Sequence, residues 1–337
     1  MWRRPTPLRE LPRFASSSGA RIFAKREDLA HTGGNYINSA AGQCLLAKRM
    51  GCHTIVCDTG SGHNGVAAAA SAAALGLNCI VFMSLADCHA EQVMVARMRM
   101  LRAEVRVVDT GSAVLSEAVS AAYQAWMAGS PGVFYLSGAP VGPAPYPKMV
   151  SYFQRMIGEE VREQLRKLSE PAPSLVVAPL GGGSTAMGLF SVFAADSNVR
   201  LCVAQSVRRS IKEPQARLGQ AKLGILHGAK TLVLQDDRGS IAALHATSPG
   251  LRYPGTAPQI AELWANKRLE SVLIDEDDAK VVQREIAQIE GLLVSIESSH
   301  ALCGALRMAA SLTAQELVIV SVNAADDGAI DLETARA

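Results

Sequence analysis

The sequence carries no strong excess of charge, no paired-cysteine motif and no long apolar run. Of 337 residues, 19% are charged and the net charge is +2. A balance so close to neutral creates no long-range field toward nucleic acid or an acidic membrane surface, so neither is expected as a partner. The seven cysteines (Cys44, Cys52, Cys57, Cys79, Cys88, Cys202, Cys303) are an odd number, scattered, with no C-x-x-C pair. That argues against both a zinc ribbon and a disulfide scaffold. Most lie in apolar runs such as HTIVCD and LNCIVF, where cysteine behaves as a small buried hydrophobe. The first residues, MWRRPTPLREL, have charge but no apolar signal core, and no stretch is long enough to span a bilayer. A cytoplasmic protein is expected. Internal repeats and low-complexity tracts are absent as well.

What is present is a regular alternation. Hydrophobic residues make up 49% of the chain, enough for two domains with cores of their own. Short apolar strands (RIFAK, HTIVC, CIVFM, EVRVVD, GVFYLSG) alternate with helical patterns over 38–50, 66–76, 89–103 and 113–128. After the rigid run Pro143-Ala144-Pro145-Tyr146-Pro147 and a helix over 147–168, a second series follows: SLVVAPL, VRLCVAQS, SVLIDED, helices over 278–290 and 297–312, and ELVIVSV. Repeated βα units with continuous apolar strands predict parallel sheets covered on both faces. The fold class expected is α/β, with two doubly wound domains and a cleft between them. Residues 21–150 would form an N-terminal domain with a mobile, substrate-closing part, and 1–20 with 151–337 a C-terminal domain. Residues 207–222 form a basic stretch (Arg208, Arg209, Lys212, Arg217, Lys222) that reads either as a solvated surface or as an anion-binding patch.

Two stretches carry chemistry. The run Gly181-Gly182-Gly183-Ser184-Thr185 follows an apolar strand and opens a helix, so its N–H groups can cradle a phosphate; the alternative is a plain tight βα turn. The run KREDLAHTGGNYINSAAGQ at 25–43 resembles the entry segment of the tryptophan synthase β-subunit. GQCLLAKRMG, GPAPYPKMV, LGGGSTAMGLF, LHGAKTLVLQD, YPG and EGLLVSIESSHAL are similar to that family in the same order, from Arg4 to about residue 328. The resemblance implies the tryptophan synthase β fold, which is fold type II of the pyridoxal phosphate (PLP) enzymes, and by the family's habit a homodimer.

It also implies roles. The glycine loop would hold the PLP phosphate. Glu290 stands where the family has a glutamate beside the ring, although an ordinary helix-end carboxylate reads the same way. Gly181, Tyr253 and Gly255 match positions whose carbonyls bind a monovalent cation; no other metal is expected. Against these, the Schiff-base lysine position reads Tyr36 and the phosphate-capping histidine Asn35. Lys25 has its own counterpart and is not the missing lysine. The catalytic glutamate reads Asp58, and the substrate-carboxylate loop reads Thr59-Gly60-Ser61-Gly62-His63-Asn64-Gly65. The serine facing the pyridine nitrogen reads Asn323. Arg99 is kept, but its acidic partner reads Arg252, which removes a salt bridge expected to close the site. The chain is also expected to start too late to carry the family's N-terminal helical extension, part of the surface that docks the α-subunit.

A phenol cannot form a Schiff base, and losing a positioned acid–base costs a factor of about 10²–10⁴. These departures give the expectation of a cofactor-free site, with PLP at most noncovalent. The expected activity is PLP-independent C–C bond formation between an indole-like nucleophile and a small electrophile, in specialised metabolism. Asp58 would accept the indole proton or merely cap a helix. Tyr36 would donate a proton or fill the space of the lysine, and His63 would act as acid–base or sit in solvent. Two alternatives stand beside this: a β-replacement lyase with noncovalent PLP, and an inactive binding pseudoenzyme. No α-subunit partner is expected.

Overall fold

Among the described residues, twelve strands organise the computed structural model: β1 (Leu8–Glu10), β2 (Arg21–Arg26), β3 (Thr54–Asp58), β4 (Asn78–Ser84), β5 (Glu104–Val108), β6 (Val133–Leu136), β7 (Leu175–Pro179), β8 (Arg200–Val207), β9 (Lys222–Leu226), β10 (Ala229–Val233), β11 (Glu270–Asp275) and β12 (Leu317–Val322). The structure describes residues 4–109, 115–207, 217–242, 246 and 248–325; residues 208–216 of the basic stretch therefore lie outside the described residues.

Six strands form one sheet in the order β1-β2-β12-β7-β8-β11, and four form another in the order β5-β4-β3-β6. Every pair is parallel except β1 with β2. The apolar runs give strands here because both faces must be filled. In the larger sheet Ile22, Val177, Cys202 and Val320 point into one core, and Phe23, Val176, Leu201 and Ile319 into the other. In the smaller sheet Ile55, Cys57 and Val81 face the helices Tyr36–Arg49 and His63–Leu75, while Val56, Phe82 and Tyr135 face the helix Leu115–Gly129. Period-2 alternation with both faces apolar is the pattern of parallel sheets sandwiched between helices. The α/β class with parallel sheets holds.

Three details differ from expectation. β2 pairs with β12 in the larger sheet, so the strand at 21–26 does not belong with the smaller sheet, as a boundary at residue 21 requires. Its Ile22, Phe23 and Ala24 are buried in the larger sheet's cores because β12 needs a partner on that side. The single helices expected over 89–103 and 147–168 are each broken in two, at Glu91 and at Arg155. The antiparallel hairpin β9–β10 was not anticipated: residues 222–226 are interrupted by Gly224 and carry exposed Leu223 and Ile225, so they lack a clean alternation. Among the described residues no helix is long and apolar enough to cross a membrane.

Candidate active site

Two strand-to-helix turns at the carboxyl ends of the sheets face each other, the usual position for a ligand in parallel α/β structures. On the larger sheet, β7 ends at Pro179 and the chain turns through Gly181–Gly183 into the helix Ser184–Phe193. Gly183 has φ +100 and Gly181 is pressed so close to the Gly250 carbonyl that a Cβ would lie 2.2 Å from it; the turn cannot be built with side chains. On the smaller sheet, β3 ends at Asp58 and turns through Thr59–Gly62 into the helix His63–Leu75, with Gly62 at φ +85 against Met94.

Between the turns lies a narrow cleft with about 50 Å³ of free volume, lined by Tyr36, Ser61, His63, Gly181, Gly182, Gly183, Ser184, Thr185, Ser295, Glu297 and Asn323 among others. Ring centroids of Tyr36 and His63 lie 6.3 Å apart at 19°, an offset stack, and His63 Nδ1 is 3.3 Å from Ser61 Oγ. Tyr36 thus sits on the wall of the cleft with His63 packed over it. Asn35 is fully buried behind the glycine loop. Its Nδ2 donates to Ser184 Oγ (3.3 Å), its Oδ1 receives Thr185 Oγ1 (3.5 Å), and its backbone N–H donates to Asn323 Oδ1 (3.0 Å).

Asp58 is not among the residues lining that cleft. Its Oδ1 accepts the Tyr135 hydroxyl at 2.5 Å, and Tyr135 packs on Tyr123 and Tyr146 at centroid distances of 4.6 and 5.4 Å. Burial pushes the Asp58 carboxyl up to about 6, with the Tyr135 hydroxyl opposing the rise. It does not cap the helix, whose cap is Gly62. Nearby, His227 Nδ1 is 2.7 Å from the Tyr253 hydroxyl, and burial lowers the imidazole to about 4. Thr59, Gly60 and Asn64 shape the turn: Thr59 N–H donates to Phe82 O, and Asn64 Nδ2 to Asp58 O at 2.8 Å. Tyr253 and Gly255, expected with Gly181 around a monovalent cation, lie beside the hairpin, Gly255 in an isolated bridge with Val233. Among the described residues no cluster of His, Cys, Asp or Glu is placed to hold a metal ion.

Glu290 is elsewhere. It ends the helix Glu276–Glu290, where its Oε1 accepts the backbone N–H of Arg13 (3.0 Å) and Phe14 (3.1 Å) and its Oε2 meets Arg9 (3.1 Å). The N-terminal segment folds over that helix end and uses the carboxylate as its anchor, so the expected role beside a ring is corrected. The glutamate that does line the cleft is Glu297, in the first turn of the helix Ile296–Ala309, bonded by Ser248 Oγ. Sequence reading missed it because one motif, EGLLVSIESSHAL, holds both glutamates. The cap Ser295, whose Oγ accepts Ser298 N–H, marks the turn that aims the second one inward. Arg252 has an acidic partner after all: its Nη1 is 3.7 Å from Asp87 Oδ1, in the helix Leu85–Ala90 that follows β4.

The family model for pyridoxal-phosphate dependent enzymes matches residues 1–323. The chain is 42% identical over 335 residues to the tryptophan synthase beta chain of Streptomyces coelicolor, covering 98% of this chain and 78% of that one. It is 40% identical over 326 residues to the tryptophan synthase beta chain of Campylobacter jejuni, covering 96% and 83%. A crystal structure of a pyridoxal 5'-phosphate-dependent aspartate racemase superposes with a TM-score of 0.73 at 16% identity, over 97% of this chain and 91% of that one; at that identity it supports the fold alone. These matches overturn three expectations. A family defined by its dependence on pyridoxal phosphate contradicts a cofactor-free site, with PLP at most noncovalent, and a PLP-independent activity. Relatives that are beta chains, each by name one chain of a synthase, contradict the expectation that no α-subunit is involved. With the fold, the glycine loop and near-complete coverage in agreement, the chain belongs to the pyridoxal-phosphate dependent enzyme family.

Proposed function

We propose that the cleft binds pyridoxal phosphate and that the protein is a lyase of the tryptophan synthase β kind, joining an indole-like nucleophile to the side-chain carbon of an amino acid. The observation that carries this is the glycine turn at the end of β7. Its N–H groups, the Ser184 and Thr185 hydroxyls and the start of a ten-residue helix face one cleft, a cradle for a phosphate group. Asn323 lines the same cleft, and its Oδ1 already receives Asn35 N–H; its NH₂ is therefore the end available to donate to a ring nitrogen. When bound, the cofactor supplies an electron sink for chemistry next to its substrate's amino group.

The chain's own groups would do the rest. Asp58, raised to about 6 by burial and held by Tyr135, lies outside the lining of the narrow cleft; once the cleft widens to admit substrate, its proton affinity would suit it to take an indole N–H proton near neutrality. His63, stacked on Tyr36, would hold the substrate side of the cleft closed to water. At one position the residues do not fit the family's cofactor. The lysine position is read as Tyr36, and the lining of the cleft contains no lysine among the described residues. Lys25 cannot substitute, because its Nζ is buried against Thr6 O, Glu160 and Gln164. With about 50 Å³ free, a ligand of cofactor size needs the two sheets to part or Tyr36 to swing aside. An α-type partner chain and a homodimer belong to the same proposal.

The test is a visible spectrum of protein purified with PLP, followed by borohydride and peptide mass mapping. A band that persists through gel filtration and shifts when a β-hydroxy amino acid is added, with indole consumed, is the expected result. The mass map reports which lysine, if any, carries reduced cofactor. No band, no shift and no consumption of indole would sink the proposal.

A further inference from the structure

We propose that a buried, one-way hydrogen-bond chain from Arg4 through Asn38 and Gln154 fixes Ser184 as a hydrogen-bond donor to the anion held by the glycine turn, making Gln154 a positioning residue for that site. The inference rests on the phosphate reading of the turn.

The direction of the chain follows from which groups can only donate. A guanidinium has no acceptor, so Arg4 Nη1, 2.8 Å from the Asn38 side chain, defines the near atom as Oδ1. The other end of the Asn38 amide then carries the NH₂, and it meets Glu27 Oε2 at 3.1 Å; Arg4 holds that carboxyl below its usual range in spite of burial, so Glu27 accepts. Asn38 is locked from both sides. The same NH₂ faces Gln154 Oε1 at 3.4 Å. That contact is long, but it still decides the amide, because the flipped form would set NH₂ against NH₂. Gln154 Nε2 is therefore the atom 2.9 Å from Ser184 Oγ, and it donates. Asn35 Oδ1 takes the Thr185 hydroxyl at 3.5 Å, and in that amide orientation its Nδ2 donates to the same Ser184 oxygen at 3.3 Å.

A serine hydroxyl has two lone pairs and one proton. Both lone pairs are engaged, so the proton must point away from Gln154 and Asn35, and none of the described groups accepts it. Ser184 is only 6% exposed and lines the cleft. Its O–H is thus committed to whatever the cleft holds, as the donor to an acceptor-only anion. Gln154, itself fully buried, touches no ligand and acts through that hydroxyl.

The test is calorimetric titration with inorganic phosphate at pH 8 of the full chain, of Ser184→Ala, of Gln154→Met and of the double variant. Ser184→Ala should bind about tenfold more weakly, the loss of one charge-assisted bond. Gln154→Met should lose about three- to tenfold, and the double variant should be no weaker than Ser184→Ala alone. A second variant, Gln154→Glu, turns the donor into an acceptor and should bind at least as weakly as Ser184→Ala. Losses that multiply in the double variant, or a Gln154→Glu protein that binds like wild type, overturn the chain and leave the phosphate reading standing. Folded wild-type protein that binds no phosphate overturns both.

Discussion

Replacing Asp58 by Asn should make the protein more stable at neutral pH. In the folded state burial raises this carboxyl from 3.8 to about 6, which corresponds to about 3 kcal/mol against the ionised form. The side chain is only half-buried, so about 1–3 kcal/mol is the working range. The sign follows from linkage: the folded state holds the proton more tightly than the unfolded chain, so this group's contribution is present below about pH 4 and is lost as pH rises through about 6. Asn keeps an oxygen for the Tyr135 hydroxyl and never ionises. Asp58→Asn should therefore melt higher than wild type by about 2–6 °C at pH 7.5, with the gap about halved at pH 5 and nearly closed at pH 4. The groups around it do not blur this window. Burial keeps the phenols of Tyr123, Tyr135 and Tyr253 neutral throughout, and His227, lowered to about 4, charges only at its acid edge. Paired melts of both proteins across pH 4–8 are sufficient. A gap that stays constant with pH, or an Asn variant that melts lower at pH 7.5, would refute the burial argument and with it the case for Asp58 as a base poised near neutrality.

Four further outcomes follow from the geometry. Tyr36→Lys puts an amine on the cleft wall, and after PLP and borohydride the cofactor mass should map to position 36; reduced cofactor found only elsewhere would show that this position does not face the ring. Glu290→Ala leaves the Arg13 and Phe14 N–H groups unpaired and should cost about 1–3 kcal/mol in urea unfolding, with phosphate affinity unchanged; a change in affinity would return Glu290 to the site. Gly181→Ala drives a Cβ to within 2.2 Å of Gly250 O and should weaken phosphate binding at least about tenfold, whereas wild-type affinity would mean that the turn does not form the cradle. Arg252→Ala should cost less than about 1 kcal/mol, since the pair with Asp87 is 3.7 Å long and Arg252 is 40% exposed. It should also raise the Asp87 carboxyl further, which pH-dependent melts would detect as a loss concentrated at neutral pH.

The fold was legible because its signals are local and redundant. Apolar runs such as LVVAP and LVIVSV cannot alternate in and out of water, so they must lie in sheets covered on both faces, and the glycine turn announces itself by position after one of them. The site was less legible because its chemistry depends on which of two similar residues a turn aims inward. Glu290 and Glu297 lie seven residues apart in one motif, and only the break after Gly291, which ends one helix and lets Ser295 start the next, sends the first to the N-terminal segment and the second to the cleft. The sign of residue 252 suggested a lost contact because its new partner, Asp87, comes from a segment with no distinctive pattern. Tyr135 and Gln154 were invisible for a related reason: each acts by holding a neighbour, and a residue that works through another leaves no spacing to read. The inference from Tyr36 to a cofactor-free protein failed at a different step. One side chain decides how a cofactor could be attached, whereas the proposed phosphate cradle and the proposed partner for a ring nitrogen rest on more than a hundred residues of scaffold between Asn35 and Ser184 and on to Asn323, and the family match extends over that scaffold.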